Sequence, residues 1–376
     1  MTVEYKICKR CVMDTTDTEI IFDENGICNH CKSFEKNLKD RILSEEKGKK
    51  YLIKLIEKIK HFGKNKKYDC IVGVSGGVDS TYVAYIVKKM GLRPLAVHFD
   101  NGWNSELAVS NIEKTLKKLN IDLYTYVIDW EVFRDIQLSF LKASTPDGEI
   151  PTDHALTALL YEIANQKGIK YIIYGTNFRT EGVMPTTWAY GHLDWKYIKK
   201  IHNLFGTVQL SGFPHFSMLK LFYYTVIKRI KLVAILSYID FKRKKTIQIL
   251  EKELGWRNYG GKHYESIYTK FFQSCLLPKK FNIDKRKSHF TSIICSTGEI
   301  TREMALEELK KEPYHQDLIQ EEKEYVIKKL GLTEQEFENI MLLPPKTFKD
   351  YHTSYRSIKI LKKLLTLLRN IGVFYR

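Results

Sequence analysis

Between residues 69 and 175, four short apolar runs alternate with segments of helical length. The runs are DCIVGV (69–74), PLAVHF (94–99), LYTYVID (123–129) and YIIYG (171–175). Each is five to seven residues long, bounded by turn or polar residues, and reads as a strand. The segments between them, such as STYVAYIVKKMG and LAVSNIEKTLKKLN, carry apolar residues at helical spacing. The second ends on lysines, which the negative end of a helix dipole favours. Alternating strands and helices predict an open α/β parallel sheet covered on both faces. Ligands of such sheets bind at the carboxyl ends of the strands.

The first of those ends runs directly into SGGVDS (75–80) and then into a helix. Gly76 and Gly77 let the backbone curl close to a ligand, and the N–H groups of the following turn, from Val78 onward, point where anions are stabilised. Ser75 and Ser80 add hydroxyl donors. The stretch reads as a phosphate cradle, although it lacks both the lysine of G-x-x-x-x-G-K-[ST] and the spacing of G-x-G-x-x-G. A chance Gly-Gly turn is the plainer alternative, and the strand before and helix after speak against it.

Four of the seven cysteines form two Cys-x-x-Cys pairs, Cys8/Cys11 and Cys28/Cys31, separated by sixteen residues. This spacing brings four thiolates around one tetrahedral zinc, and a complete thiolate set leaves no open coordination position, so the zinc is expected to be structural. Redox dithiols are the alternative, but they accompany a βαβ pattern that is absent here. IIFDENGIC between the pairs reads as two short strands around an Asn-Gly turn. His30, inside the second pair, reads as a surface residue, and Cys70, inside the first strand, as core.

With 376 residues and 44% hydrophobic content, the chain can bury a sizeable core. Its formal charge of +17 makes anionic partners the expected ones, without choosing among nucleic acid, lipid surface, acidic protein and phosphorylated metabolite. No export signal and no spanning apolar stretch are visible, so a cytoplasmic protein without a transmembrane segment is expected. The expected organisation is a four-cysteine zinc mini-domain (1–35), a helical connector (36–67), an ATP-binding domain (68–205) and a mainly helical substrate- or partner-binding region (206–376). Within the last, FSMLKLFYYTVIKRIKLVAILSYID is apolar but interrupted by Lys220, Lys228, Arg229 and Lys231. It reads as a buried helix pair or a docking surface, with an interfacial membrane helix as the lesser alternative. The tail SIKILKKLLTLLRNIG reads as an amphipathic basic helix.

SGGVDS resembles the pyrophosphate loop of the PP-loop ATP pyrophosphatases, which cleave ATP between the α and β phosphates. HFDNGW then falls where that superfamily holds adenosine, which implies nucleotide contacts for His98, Phe99, Asp100 and Asn101. YGTNFRTEG is similar to its later glycine-asparagine motif and implies the same for Gly175, Thr176 and Asn177, while TDHA (152–155) fits a further nucleotide-side contact. By the same resemblance Asp79 binds or orients Mg2+ at the pyrophosphate.

A narrower combination, CKRCVMDTTD with CNHC, SGGVDS, MPTTWAYGHLDWKYI, GWRNYGGKHYESIYTKFFQ and DKRKSH, resembles the N-acetyl sugar amidotransferases of bacterial surface-polysaccharide and flagellar-glycan pathways. The resemblance implies ATP-dependent conversion of an acetamido group on an N-acetylated nucleotide sugar, or a related sugar, to an acetamidino group, with ATP, Mg2+ and structural Zn2+. Lys262, His263, Lys285 and Arg286 are candidates for holding phosphates or the nucleotide half of the substrate. Glu265 is the candidate for orienting ammonia or taking its proton. Residue 2 is Thr2 and no cysteine lies in a G-x-C-x-G setting, so ammonia is expected from a partner. The resemblance implies a glutaminase plus a barrel subunit, similar to the imidazole glycerol phosphate synthase pair, with the basic helical C-terminal region as a docking face.

Two other readings stay open. A PP-loop tRNA-modifying enzyme suits the charge. Thiolases of that kind, however, use active-site cysteines or a cluster, and no cysteine lies between Cys70 and Cys275. A lysidine-type ligase needs none, but the knuckles and GGKHYES fit it poorly, so nucleic acid is the less expected partner. A non-catalytic zinc- and nucleotide-binding scaffold is the third.

Overall fold

The computed structural model describes residues 4–42, 45–261, 264–313, 316–357 and 359–360. Two helices, α1 (Asn29–Arg41) and α2 (Glu45–Gly63), lead into an alternation of strands and helices. It runs β1 (Cys70–Gly73), α3 (Val78–Lys89), β2 (Pro94–Asp100), α4 (Glu106–Leu119), β3 (Asp122–Val127), α5 (Trp130–Lys142), α6 (Ile150–Gln166), β4 (Tyr171–Ile173) and α7 (Phe178–Glu181). Joined by β5 (Lys231–Val233) from later in the chain, the strands form the expected open sheet, parallel throughout, in the order β3-β2-β1-β4-β5. Because β2 and β4 flank β1 on opposite sides, the strand order reverses at β1, and its carboxyl end is where sheets of this kind bind ligands.

Alternation along β1 explains why both faces are covered. Ile71 points into one apolar layer with Phe133, Phe140 and Leu159 of α5 and α6. Its neighbours Cys70 and Val72 point into the other, with Ile59, Val83, Val87 and Leu116 of α2, α3 and α4. The core reading of Cys70 is therefore correct. β3 departs from expectation: it is an edge strand, and Leu123, Tyr124 and Val127 face solvent.

Beyond α8 (Trp195–Phe205) the expected buried helix pair is not formed. α9 (Met218–Phe222) continues as one π-helical turn (Tyr223–Ile227), and the chain then adds β5 (Lys231–Val233) beside β4. Three residues of strand inside a basic run leave too little pattern for the period to be read. The rest is helical: α10 (Arg243–Leu254), α11 (Ile267–Phe271), α12 (Leu277–Phe281), α13 (Arg286–Ser296), α14 (Arg302–Lys310), α15 (Gln316–Leu330) and α16 (Glu334–Leu342). No described helix is long and apolar enough to cross a membrane. Most of the amphipathic tail, from residue 361 on, lies outside the described residues.

The cysteine segment is built into this body. Phe34 stacks on Phe178 with ring centroids 4.8 Å apart. Buried Asp14 meets Lys287 Nζ at 2.6 Å, and Arg302 Nε donates to the Cys8 and Cys11 carbonyls. The expected hairpin is reduced to one antiparallel bridge, Phe22 to Cys28, around Gly26. His30 is not a surface residue: its Nε2 lies 2.6 Å from Asp17 Oδ2, supplying a partner to a carboxylate that is almost fully buried.

Candidate active site

The SGGVDS loop leaves β1 and enters α3 with Gly77 as the N-cap. Gly76 has φ +80°, and a Cβ there would lie 2.5 Å from the Ala108 carbonyl oxygen, so only glycine fits. A Cβ on Gly77 would fill the hollow facing Glu265 Oε1, at 3.0 Å, and the Tyr259 hydroxyl, at 3.2 Å. The Ser75 and Ser80 hydroxyls lie 3.2 Å apart across the loop, and Ser80 Oγ also accepts from Ser75 N. The loop thus sets two hydroxyls side by side, with Asp79 in the first helical turn.

The loop is met on another side by residues 255–261 and 264–267. Trp256 Nε1 donates to the Gly76 carbonyl at 2.9 Å, and the Asn111 side chain both accepts from Arg257 N and donates to Arg257 O. The Val78 amide donates to the Tyr259 hydroxyl at 3.1 Å. Glu265 Oε1 lies 3.5 Å from Ser75 Oγ, with its backbone fixed by the Ser105 N–H. Burial, and next the Glu265 carboxylate, push the Tyr259 phenol well above its ordinary value, so it stays protonated and can donate. Lys262 and His263, in the same segment, lie outside the described residues.

The β2 end braces the loop from the other side. His98 Nδ1 donates to the Val74 carbonyl at 2.9 Å while Nε2 accepts from Asn104 Nδ2 at 3.1 Å. Phe99 stacks on Tyr126, and Asp100 and Asn101 line a cavity of about 230 Å3 with Trp130 and Lys329. After β4, Gly175 passes so close to α3 that a Cβ would lie 2.9 Å from Ser80 N. Thr176 is exposed beside it, and Asn177 is buried as the N-cap of α7, accepting from Arg179 N. His154 of the TDHA stretch is buried, stacked on Trp195 and tilted 37° against Phe216.

Carboxylates gather at the start of α6 and in α7. Asp153 lies within electrostatic range of Glu149, Glu181 and Lys285. Asp153 is open to solvent on one side but hemmed in by protein on the others. That desolvation, followed by the Glu149 charge, pushes its carboxyl up to about 7. Lys285 Nζ holds Glu149 Oε2 at 2.7 Å, at the start of α13. Arg286 is engaged elsewhere: its guanidinium pairs with Asp284 at 2.7 Å and reaches the Lys311 carbonyl, bracing the helix start. Sequence reasoning passed over Tyr259, Trp256, Glu149 and Glu181. Three of these lie inside quoted motifs, and only Glu149 carried no signal.

The four cysteine sulfurs lie within 4.8 Å of one another and are fully buried. Cys11 to Cys28 measures 3.6 Å and Cys28 to Cys31 3.7 Å, close to the edge of a tetrahedron of about 2.3 Å Zn–S bonds. The donor set fits Zn2+. Cys295 of α13 adds a fifth sulfur 3.6 Å from Cys31, a neighbour that spacing could not reveal. α13 also holds the segment after β4, through His289 to the Thr180 carbonyl and Ser292 from the Val183 amide. Through α13 the cysteine cluster is therefore tied to the segment after β4.

Residues 50–208 match the NAD synthase family, and residues 265–365 match the family described as LPS biosynthesis protein WbpG-like, C-terminal domain. A 7-cyano-7-deazaguanine synthase from Sulfurimonas denitrificans is 39% identical over 85 residues, 22% of this chain and 37% of that protein. The chain thus spans little more than a third of that relative's length. Among solved structures, an NH3-dependent NAD synthetase from Campylobacter jejuni is 16% identical, covering 55% of this chain and 83% of its own, with a TM-score of 0.30. A "predicted subunit of tRNA methyltransferase" from Methanocaldococcus jannaschii is 18% identical, covering 48% and 72%, with a TM-score of 0.29. Neither likeness bears on function.

Proposed function

For a chain that joins a PP-loop domain of the NAD synthase kind to a WbpG-like C-terminal domain, we propose an ATP-dependent, AMP-forming amidotransferase acting on an N-acetylated sugar. One observation carries this reading: Glu265, where the WbpG-like match begins, lies against Ser75 of the phosphate loop. The nucleotide loop and the C-terminal region share one site. ATP-using ligases and synthetases populate the PP-loop superfamily, which binds ATP and Mg2+.

The chemistry asks little covalent work of the protein. An amide carbonyl is a poor electrophile, and its oxygen leaves badly. Attack of that oxygen on the α-phosphorus releases pyrophosphate and makes the oxygen a good leaving group. Ammonia then adds to the carbon, the C–O bond breaks, and AMP departs carrying the oxygen, leaving an amidine. Catalysis is positioning plus stabilisation of phosphate charge.

In this reading the Ser75–Ser80 loop holds the pyrophosphate half, and His98 fixes the loop to β2. Asp79 would hold Mg2+, which supplies charge neutralisation at the phosphates. The Glu265 carboxylate, beside the loop and the protonated Tyr259, orients ammonia or takes its proton. Lys285, already paired with Glu149, fixes that carboxylate. Ammonia would come from a separate glutaminase and barrel subunit.

The test is incubation with ATP, Mg2+, ammonium and a panel of N-acetylated nucleotide sugars, read by mass spectrometry. A sugar one mass unit lighter, formed in step with AMP and pyrophosphate, supports the reading. AMP release that requires bulk tRNA instead assigns the chain to RNA modification, and no AMP under any condition leaves a scaffold.

A further inference from the structure

α9 and its π-helical continuation present an apolar stripe that nothing among the described residues covers. Leu219, Phe222, Tyr223, Val226 and Ile227 recur at helical spacing and are 83, 55, 40, 49 and 60% exposed. The opposite face anchors the segment, since Tyr224 is buried and stacked on Tyr161 with ring planes 4° apart. A contiguous apolar face held rigidly in solvent marks an interaction surface.

Its charge pattern selects the partner. From residue 195 to 239 the chain has no Asp or Glu and seven cations, Lys196, Lys199, Lys200, Lys220, Lys228, Arg229 and Lys231. The last four flank the stripe, with Lys220, Arg229 and Lys231 exposed. Exposed apolar and aromatic side chains flanked along the chain by cations match an anionic bilayer surface, which accepts both. The same cations disfavour a cover by the basic tail of this chain.

Position in the fold agrees. The segment enters β5 at its amino end, where Lys231 N donates to the Lys170 carbonyl and Lys170 Nζ to the Lys228 carbonyl. The candidate active site lies at the carboxyl ends of the same sheet. A membrane docked at the amino end leaves that carboxyl end free.

We propose that the 218–231 segment is a peripheral anchor for anionic membrane, with the five apolar side chains entering the interface and the flanking cations meeting lipid phosphates. The proposal concerns a surface remote from the nucleotide loop and is independent of the reaction assigned to it.

The test is co-sedimentation of the full chain with vesicles of phosphatidylcholine alone or mixed with phosphatidylglycerol. Binding is expected to the mixed vesicles only and to weaken as salt rises. Lys228→Gln and Arg229→Gln should each lower the partition coefficient roughly fivefold. The triple variant Leu219→Ser/Phe222→Ser/Ile227→Ser should lose binding while keeping its melting midpoint, since all three side chains are exposed. Absence of binding to mixed vesicles at low salt overturns the proposal. So does binding that these variants leave unchanged, which moves the contact elsewhere. A lipid-free oligomer that the triple variant dissociates also overturns it, giving the stripe to a protein interface.

Discussion

Glu265 Oε1 lies 3.5 Å from Ser75 Oγ, across 190 residues of chain. The contact places a carboxylate beside the loop that the proposed function gives to pyrophosphate, where it can act on ammonia. Glu265→Gln is predicted to lower the rate of amidine formation by about 10²–10⁴, the range for loss of a general base. ATP affinity should hold or tighten, because a negative charge leaves the neighbourhood of the phosphates. Comparing turnover with equilibrium nucleotide titration separates this from misfolding, in which both fall together.

Gly76→Ala is predicted to disable the loop. Its φ of +80° and the 2.5 Å approach to the Ala108 carbonyl leave no space for a methyl group, and strain of about 1–3 kcal/mol is expected from the backbone alone. Gly175→Ala should behave similarly by pushing the β4 loop off α3, where Ser80 N is 2.9 Å away. Thermal melts with and without ATP check both: the nucleotide-induced rise in midpoint should vanish in each variant.

Removing the metal is predicted to damage more than the N-terminus. The four thiols sit in the same core as Phe34, Phe178 and Cys295, and α13 links that core to the segment after β4. Elemental analysis should find one zinc per chain, and Cys31→Ser should bind less and melt at lower temperature. A stripped chain with an unchanged melting midpoint would contradict the structural assignment.

Asp153 predicts a pH effect on stability. Its carboxyl is pushed up to about 7 from an ordinary value of 3.8. Between those values the folded chain holds a proton that the unfolded chain has released, so stability from this group rises as pH falls from 7 towards 4. Above pH 7 the charged form carries its full penalty. Asp153→Asn should therefore raise the melting midpoint more at pH 8 than at pH 5, and an equal change at both would remove Asp153 as the source.

The sheet and the loop were legible because each depends on local pattern: apolar runs of strand length, and two glycines between a strand and a helix. What escaped depends on tertiary contact. Trp256 and Tyr259 touch the loop from about 180 residues away, and no period encodes that. Arg286 looked like a phosphate holder by its charge and its place in DKRKSH, but Asp284, two residues earlier, pairs with it. His30 looked exposed because polar residues usually are, yet a buried Asp17 needs its pairing. β5 hid inside a basic run that suggested helix.

The central claim, that the amide oxygen attacks ATP, is tested most directly by labelling the acetamido carbonyl of the sugar with 18O and analysing the AMP formed. The account predicts AMP that is two mass units heavier, with unlabelled pyrophosphate. Unlabelled AMP formed alongside amidine would show that the oxygen leaves by another route and would contradict the mechanism.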